Sequence, residues 1–186
     1  MDRDWTPLRT PRLVLRRFRE DDAAVLAAYR SDPDVACFQS WDTPYAVGTA
    51  RAFVHEMAEV TPGLPGEWFQ VAVSLTEAGP PVGDVAFSPR EHDPRIVEIG
   101  YTVAPPFQRR GYATEAVSAL LGHLFGVRGA HRVTASCDQR NAASRRLLER
   151  LGMRLEGHLV ESYWDGGTWA DDLLFAVLAR EWDARG

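Results

Sequence analysis

Residues 108–115 read Gln-Arg-Arg-Gly-Tyr-Ala-Thr-Glu and stand between a strand-like apolar run, residues 96–103, and a helix-like run that ends near Phe125. A strand that feeds a glycine-containing turn and then a helix leaves unpaired backbone N–H groups at the helix N-terminus. The helix dipole adds positive potential there, so such a turn attracts anions. The small glycine and alanine let a ligand oxygen approach the backbone, and the two arginines add fixed charge. The segment therefore predicts a pyrophosphate-binding loop.

This loop differs from the common nucleotide-binding motifs. The chain has no G-x-x-x-x-G-K-[ST] sequence, and no G-x-G-x-x-G follows an early strand. The pattern Gln-x-x-Gly-x-Ala at residues 108–113 is instead similar to the pyrophosphate loop of the GCN5-related N-acetyltransferase (GNAT) family. The resemblance implies that acetyl-CoA is held at this loop and that its acetyl group passes to an amine. An ordinary strand–turn–helix connection is the alternative, because small residues and arginine are common in loops.

The composition predicts one globular domain over residues 1–186, with a core at about residues 10–180. Hydrophobic residues make up 45% of the chain and charged residues 25%, which is typical of a folded domain of this length. The net charge of -5 argues against a nucleic-acid partner. No apolar run approaches the length of a membrane span and the N-terminus has no signal-peptide pattern, so we expect a cytoplasmic protein without membrane contact.

Cysteine and histidine positions do not predict a disulfide or a metal site. Cys37 and Cys137 lie in unrelated contexts, and we expect both to be free thiols that are buried or half-buried. The five histidines show no paired-ligand spacing, so no metal is expected.

Apolar periodicity predicts an α/β domain with a mixed, mostly antiparallel sheet, flanking helices and a central parallel strand pair. The GNAT fold has the same element order, so the resemblance extends over about residues 10–180. We expect Asp32-Pro33 to stop the first helix, and Leu75 to share a strand face with Phe69. Strands are predicted at residues 13–17, 68–75, 82–87, 96–103, 132–137, 155–163 and 173–178. One helix is predicted to begin at residue 20, two to cover residues 46–60 and 114–125, and a fourth to follow Asn141.

A second motif lies at residues 141–153 and resembles the GNAT segment N-x-x-[AS]-x-x-x-[YL]-E-x-x-G-[FM]. Asn141 at a helix N-cap keeps an amide that can bind pantetheine, and Ser144 lies one turn further. Helix capping alone is the alternative for both residues. Leu148 stands where many GNAT members have a tyrosine that protonates the leaving thiolate. The branch resembling RimJ/RimL-type ribosomal-protein N-terminal acetyltransferases places a serine at position 144 for that role.

The resemblance implies a set of site residues. Glu98 or Glu161 would accept the amine proton, Ser144 would protonate the thiolate, and Tyr163 aligns with a catalytic glutamate of some members. Glu161 would share the face of Tyr163 if its strand is regular. Acetyl-CoA, the only cofactor expected, would be bound by Tyr101, Thr102, Val103, Gln108, Arg109, Arg110, Gly111, Tyr112, Ala113, Thr114, Asn141 and Ser144.

The amine acceptor cannot be identified from the sequence. Phe38, Trp41 and Trp164 are the expected substrate contacts, while Trp169 is assigned to hairpin packing. A protein N-terminus and a small-molecule amine both remain open, as do acyl groups larger than acetyl, such as succinyl. A non-catalytic acyl-CoA-binding or regulatory module and an unrelated α/β nucleotide-binding protein are the rival functions. Pairing of edge strands makes a homodimer a further expectation.

Overall fold

A single mixed sheet organises the chain in the computed structural model, which describes residues 5–184. Within this range the sheet has eight strands, in the spatial order β1-β2-β3-β4-β5-β6-β8-β7, and only β5 and β6 run parallel. The predicted fold class is confirmed. In chain order the strands are β1 (Leu8–Arg9), β2 (Val14–Arg16), β3 (Phe69–Ser74), β4 (Pro81–Pro89), β5 (Ile96–Val103), β6 (Arg132–Asp138), β7 (Arg154–Trp164) and β8 (Trp169–Leu178).

Helices cover both faces of the sheet. Leucines of the fourth and fifth helices pack with Val71 in one core cluster, and the first and third helices pack with Ala72 in another. Because neighbouring strand residues point to opposite faces, the two helix pairs lie on opposite sides. The helices of the described part are α1 (Ala23–Arg30), α2 (Pro33–Ala36), α3 (Val47–Glu59), α4 (Tyr112–Gly126), α5 (Ala142–Arg150) and α6 (Ala179–Asp183).

Several sequence predictions need correction. Asp32 does not only end α1; its side chain caps α2 by accepting from the Asp34 N–H at 3.0 Å. Leu75 lies beyond β3 and is exposed, because the strand ends at Ser74 and the chain turns there. Cys37 is exposed rather than buried or half-buried, whereas the other cysteine is buried. The two-residue β1 and the four-residue α2 were missed because elements this short have no readable periodicity.

The parallel strands separate before they end. Their register covers Ile96–Arg132, Val97–Val133 and Glu98–Thr134. Beyond this point β5 continues to Val103 and β6 to Asp138 without pairing to each other. An opening therefore forms between the carboxyl ends of two central strands, at the crossover position where α/β proteins commonly bind ligands.

Candidate functional site

A cleft of about 440 Å³ occupies this opening. Its wall combines the end of β5, the loop before α4 and the start of α5, and the α2 region closes one end. Most of the residues expected from the sequence to bind acetyl-CoA therefore share one cavity, together with one expected acceptor contact. The predicted residues that line it are Phe38, Tyr101, Thr102, Val103, Gln108, Arg109, Gly111, Tyr112, Ala113, Thr114, Asn141 and Ser144.

The N-terminus of α4 presents free backbone donors to the cleft. Gly111 caps the helix in the left-handed conformation, with φ 80°. The first ladder bond crossing the cap runs from the Glu115 N–H to the Gly111 carbonyl at 3.0 Å, so the N–H groups at positions 112–114 precede it. These groups have no partner in the α-helical ladder and line the cleft. Arg109 also has a positive φ, 61°, which is a strained conformation for a residue with a side chain.

A segment near the N-terminus holds this loop in place. Glu115, in the first turn of α4, accepts hydrogen bonds from the Thr10 hydroxyl at 2.5 Å and from the Arg12 N–H at 3.0 Å and Nε at 2.6 Å. Arg12 NH1 also donates to the Arg110 carbonyl at 3.0 Å, and its guanidinium lies over the Tyr112 ring. Burial alone would raise the pKa of Glu115, but these hydrogen bonds outweigh it and lower the pKa.

Gln108 closes the turn between β5 and the loop. Its Nε2 donates to the Val103 carbonyl at 3.0 Å. The side chain thus links the end of the strand to the start of the loop. Arg110 belongs to the same loop but does not line the cleft, and its guanidinium lies toward the Phe107 ring.

A serine–tyrosine pair lies in the cleft between β5 and α5. The Tyr101 hydroxyl and the Ser144 Oγ are 2.5 Å apart, and either oxygen can be the donor. Burial raises the pKa of Tyr101 well above its ordinary value, so the phenol stays protonated. Asn141 caps α5 through Oδ1, which accepts from the Ser144 N–H at 3.0 Å and leaves the side-chain NH₂ for a ligand.

The two carboxylates predicted to be bases lie outside the cleft. Glu98 is half-buried on β5, paired with Ser88 and Thr134 where the parallel register ends. Glu161 is exposed on the edge strand β7, where the register shifts between Leu159 and Tyr163. Its φ of 49° shows that the strand is not regular there, so the expected shared face with Tyr163 does not hold.

Tyr163 takes part in a polar network at the end of β6. Its hydroxyl donates to Oδ2 of the buried Asp138, which Arg140 also contacts. Burial and then this hydrogen bond raise the pKa of Tyr163. No local sequence pattern links positions 138 and 163, so sequence reasoning did not predict this network.

Of the three aromatic residues expected to contact the acceptor, one lines the cleft and two do not. Phe38 lines the cleft. Trp41 does not; its Nε1 donates to the Arg30 carbonyl at 2.9 Å, and it packs against that guanidinium. Trp164 is exposed at the hairpin end and meets Trp169 edge-to-face at 5.6 Å.

Residues 12–154 match a family model described as the acetyltransferase (GNAT) domain. The chain belongs to the GNAT family. Among its relatives, the Uncharacterized N-acetyltransferase YnaD of Bacillus subtilis is 32% identical and is aligned over 94% of this chain and 98% of its own length. The [Ribosomal protein uS5]-alanine N-acetyltransferase of Escherichia coli is 30% identical over 45% of this chain and 43% of its own length.

Solved structures agree with this assignment. A GNAT-family acetyltransferase from Bacillus anthracis superposes with a TM-score of 0.80 at 27% identity, covering 95% of this chain and 100% of that chain. Mycobacterium smegmatis RimJ, solved in complex with CoA-disulfide, gives a TM-score of 0.79 at 28% identity, with coverages of 95% and 87%. The GNAT resemblance, including its RimJ-type relatives, is therefore confirmed.

Leu148 is fully buried in the core and does not line the cleft. Sequence reasoning missed the contact of Arg12 with the loop and the phenol of Tyr101 in the cleft. Among residues 5–184 no cluster of three or more histidine, cysteine or acidic side chains could hold a metal. No helix in that range is long and apolar enough to cross a membrane.

Proposed function

We propose that this GNAT protein transfers an acetyl group from acetyl-CoA to a primary amine by direct attack in a ternary complex. The observation that carries the proposal is one cleft with free N–H groups of α4 along its wall and the Ser144–Tyr101 pair in it. Backbone donors at a helix N-terminus fit a pyrophosphate, and a protonated hydroxyl pair fits a leaving thiolate.

The donor would lie along the loop before α4. The N–H groups at positions 112–114 and the Arg109 guanidinium would bind its phosphates, and the Asn141 amide would bind its pantetheine arm. The unpaired end of β5 would add backbone hydrogen bonds near Tyr101, as an extra strand would, and would polarise the thioester carbonyl.

The protein's own groups would then move protons. Ser144 donates to the departing thiolate and Tyr101 supplies its hydroxyl to Ser144; because thiolates are weakly basic, a weak acid suffices. A carboxylate, with Glu98 and Glu161 as the candidates from sequence, accepts the proton of the attacking amine. Phe38 contacts the acceptor, and Trp41 and Trp164 remain proposals for the wider acceptor surface.

The acceptor class is a primary amine, either a protein N-terminus or a small molecule. The name of the Escherichia coli relative specifies an alanine of ribosomal protein uS5 as its acceptor, which supports a protein acceptor. A non-catalytic acyl-CoA-binding or regulatory module is the alternative, as is a transferase that prefers a larger acyl group such as succinyl.

The test follows free-thiol release from acetyl-CoA and succinyl-CoA with a peptide bearing a free N-terminal alanine and with a panel of small primary amines. We expect amine-dependent release with acetyl-CoA. If either thioester stabilises the protein thermally but no amine causes thiol release, the non-catalytic module is supported. If thiol is released faster from succinyl-CoA than from acetyl-CoA, the transferred group is succinyl rather than acetyl.

A further inference from the structure

Two carboxylates face each other where β6 ends. Asp138 of β6 and Asp172 of β8 are directly opposed residues in the antiparallel register, so their side chains leave the sheet on the same face. Like charges in directly opposed positions destabilise a strand pair. The pair lies just before Asn141, the cap of α5 in the cleft wall.

Asp138 is fully occupied by its protein partners. It is 5% exposed, its two oxygens accept several hydrogen bonds from Arg140, and Oδ2 also accepts from the Tyr163 hydroxyl. Burial alone would raise the pKa of Asp138, but these hydrogen bonds outweigh it and lower the pKa. Asp138 therefore keeps its negative charge at neutral pH and is not free to bind a ligand.

Asp172 is in the opposite situation. It is half-buried, and within residues 5–184 no hydrogen bond or ion pair reaches its carboxylate. Burial and then the charge of Asp138 raise the pKa of Asp172. Two neighbouring carboxyl groups whose environments separate their pKa values are typical of an acid–base site, in which the group with the raised pKa exchanges protons.

The pair lies next to the cleft without lining it: Cys137, which precedes Asp138, is close to both Ser144 and Asp172. The charges of Arg140 and Asp138 act on the exposed thiol of Cys37, which directly follows α2. Burial raises the pKa of Cys137, whose hydrogen-bond partner is Ser144.

The carboxylates also lie on the face away from α4 and α5. Val133, Ala135 and Cys137 of β6 point into the core cluster beneath those helices, so Asp138 points to the other face. Ser144 and the donor loop lie on the α4 and α5 side, so an amine held by Asp172 would reach the thioester through the opening between β5 and β6.

We propose that Asp172 binds the ammonium group of the acceptor and takes the proton that the nitrogen must lose before it attacks; this rests on the proposed acetyl transfer. One proton passes from the nitrogen to a carboxylate oxygen of Asp172. The nitrogen lone pair forms the C–N bond, and the C–S bond breaks with its electron pair on sulfur. Ser144 protonates that sulfur, the second nitrogen proton restores the Ser144–Tyr101 pair through water, and Asp172 releases its proton to solvent.

This assignment predicts the acid limb of the pH profile. Asp172 accepts a proton only above its own pKa, so kcat/KM falls as the pH drops through that raised value. The charged and titratable groups near Asp172 are Asp138 from β6, Tyr163 from β7 and Arg140 from the following loop, with Cys137 on the opposite face of β6.

The test compares wild type and Asp172→Asn, using acetyl-CoA with an N-terminal alanine peptide and with 2,2,2-trifluoroethylamine. The second amine is weakly basic and already neutral at pH 7. We expect Asp172→Asn to lower kcat/KM for the peptide at least about tenfold at pH 7 and to move the acid limb up to the pKa of the peptide amine itself, about 7.7–8.0, with a loss at least several-fold smaller for the weakly basic amine. Asp171→Asn, a neighbour on the same strand, serves as the matched control and should keep kcat/KM within about twofold.

Equal losses with both amines, or an acid limb that stays at its wild-type position in Asp172→Asn, would overturn the proposal. Glu98→Gln and Glu161→Gln, measured alongside, would then identify the base if either moved the limb. Should the wild type release no thiol with any amine, acetyl transfer itself fails. In that case the pKa of Asp172 is measured by itself, from the ¹³C shift of its carboxyl group during a pH titration. A pKa at or below that of Asp138 would refute the assignment.

Discussion

Local sequence patterns predict the role of a residue only when its partners are close to it in the sequence. Asn141 and the loop before α4 are recognisable because their chemistry depends on neighbours within a few positions. The contact between Tyr101 and Ser144 joins residues 43 positions apart, and no periodicity reports it. Sequence reasoning therefore predicted only a backbone role for Tyr101, whereas the structure brings its phenol into contact with Ser144.

The first prediction concerns this pair. Tyr101→Phe and Ser144→Ala should each lower kcat by about tenfold, a cost of about 1.4 kcal/mol, with little change in KM for acetyl-CoA. The double variant should lose little more than the more damaging single variant, because both groups serve one proton path. Steady-state kinetics of the four proteins checks this, and fully additive losses would show that the two hydroxyls act independently.

The second prediction separates the two arginines of the loop. Arg109→Ala should raise KM for acetyl-CoA by about tenfold and change kcat less, because charge-assisted hydrogen bonds to phosphate contribute about 1.5–3 kcal/mol. Arg110→Ala should raise KM less, since this side chain does not line the cleft. Equal effects, or an unchanged KM for Arg109→Ala, would remove Arg109 from the pyrophosphate site.

At the scale of elements, long periodic segments were predicted well and irregular ones were not. The β5 prediction matches the observed bounds, and α4 begins two residues before the predicted start. Errors arose where a strand ended or its register shifted: the chain turns after Ser74, and β7 has two more residues than β8 between Leu159 and Tyr163. Leu75 and Glu161 were both assigned faces as if their strands were regular, and each lies beside or within a register shift.

The third prediction compares two glycines of the α4 region. Gly111→Ala should lower the Tm and weaken acetyl-CoA binding, because a left-handed conformation costs a residue with a Cβ about 1–2 kcal/mol. Gly122→Ala should instead stabilise the protein by about 0.5–1 kcal/mol, because it is exposed within the helix and nothing lies within 4 Å of the added Cβ. Thermal unfolding with and without acetyl-CoA measures both, and a neutral Gly111→Ala would contradict the described cap.

At the scale of the whole molecule, ion pairs join the last strands and helix to the sheet. Glu156 of β7 contacts Arg132 of β6 and Arg154, and Arg154 in turn contacts Glu181 of α6. Hydrogen bonds from Arg132 are the main cause that lowers the pKa of Glu156 from 4.5 to about 2. Sequence reasoning predicted the order of these elements but not this network, because its partners lie far apart in the chain.

The fourth prediction follows from the sign of that shift. A carboxylate with a lowered folded-state pKa contributes stability above pH 4.5, and the contribution is lost as the pH falls toward 2. Glu156→Gln should therefore flatten the fall of Tm over this range, with a small and salt-sensitive effect because the pair is near the surface. Glu67→Gln is the control, since Glu67 is exposed and forms no side-chain ion pair within residues 5–184; the same flattening there would contradict the network's role.

Every step of the proposed chemistry depends on the binding of a pyrophosphate at the start of α4. Backbone ¹⁵N–¹H spectra recorded during titration with CoA test it directly, because each N–H group reports its own hydrogen bonding. We expect the largest downfield shifts at Gly111, Tyr112, Ala113 and Thr114, with much smaller changes along β7. Shifts confined to other parts of the chain, or no saturable change at millimolar CoA, would contradict the account.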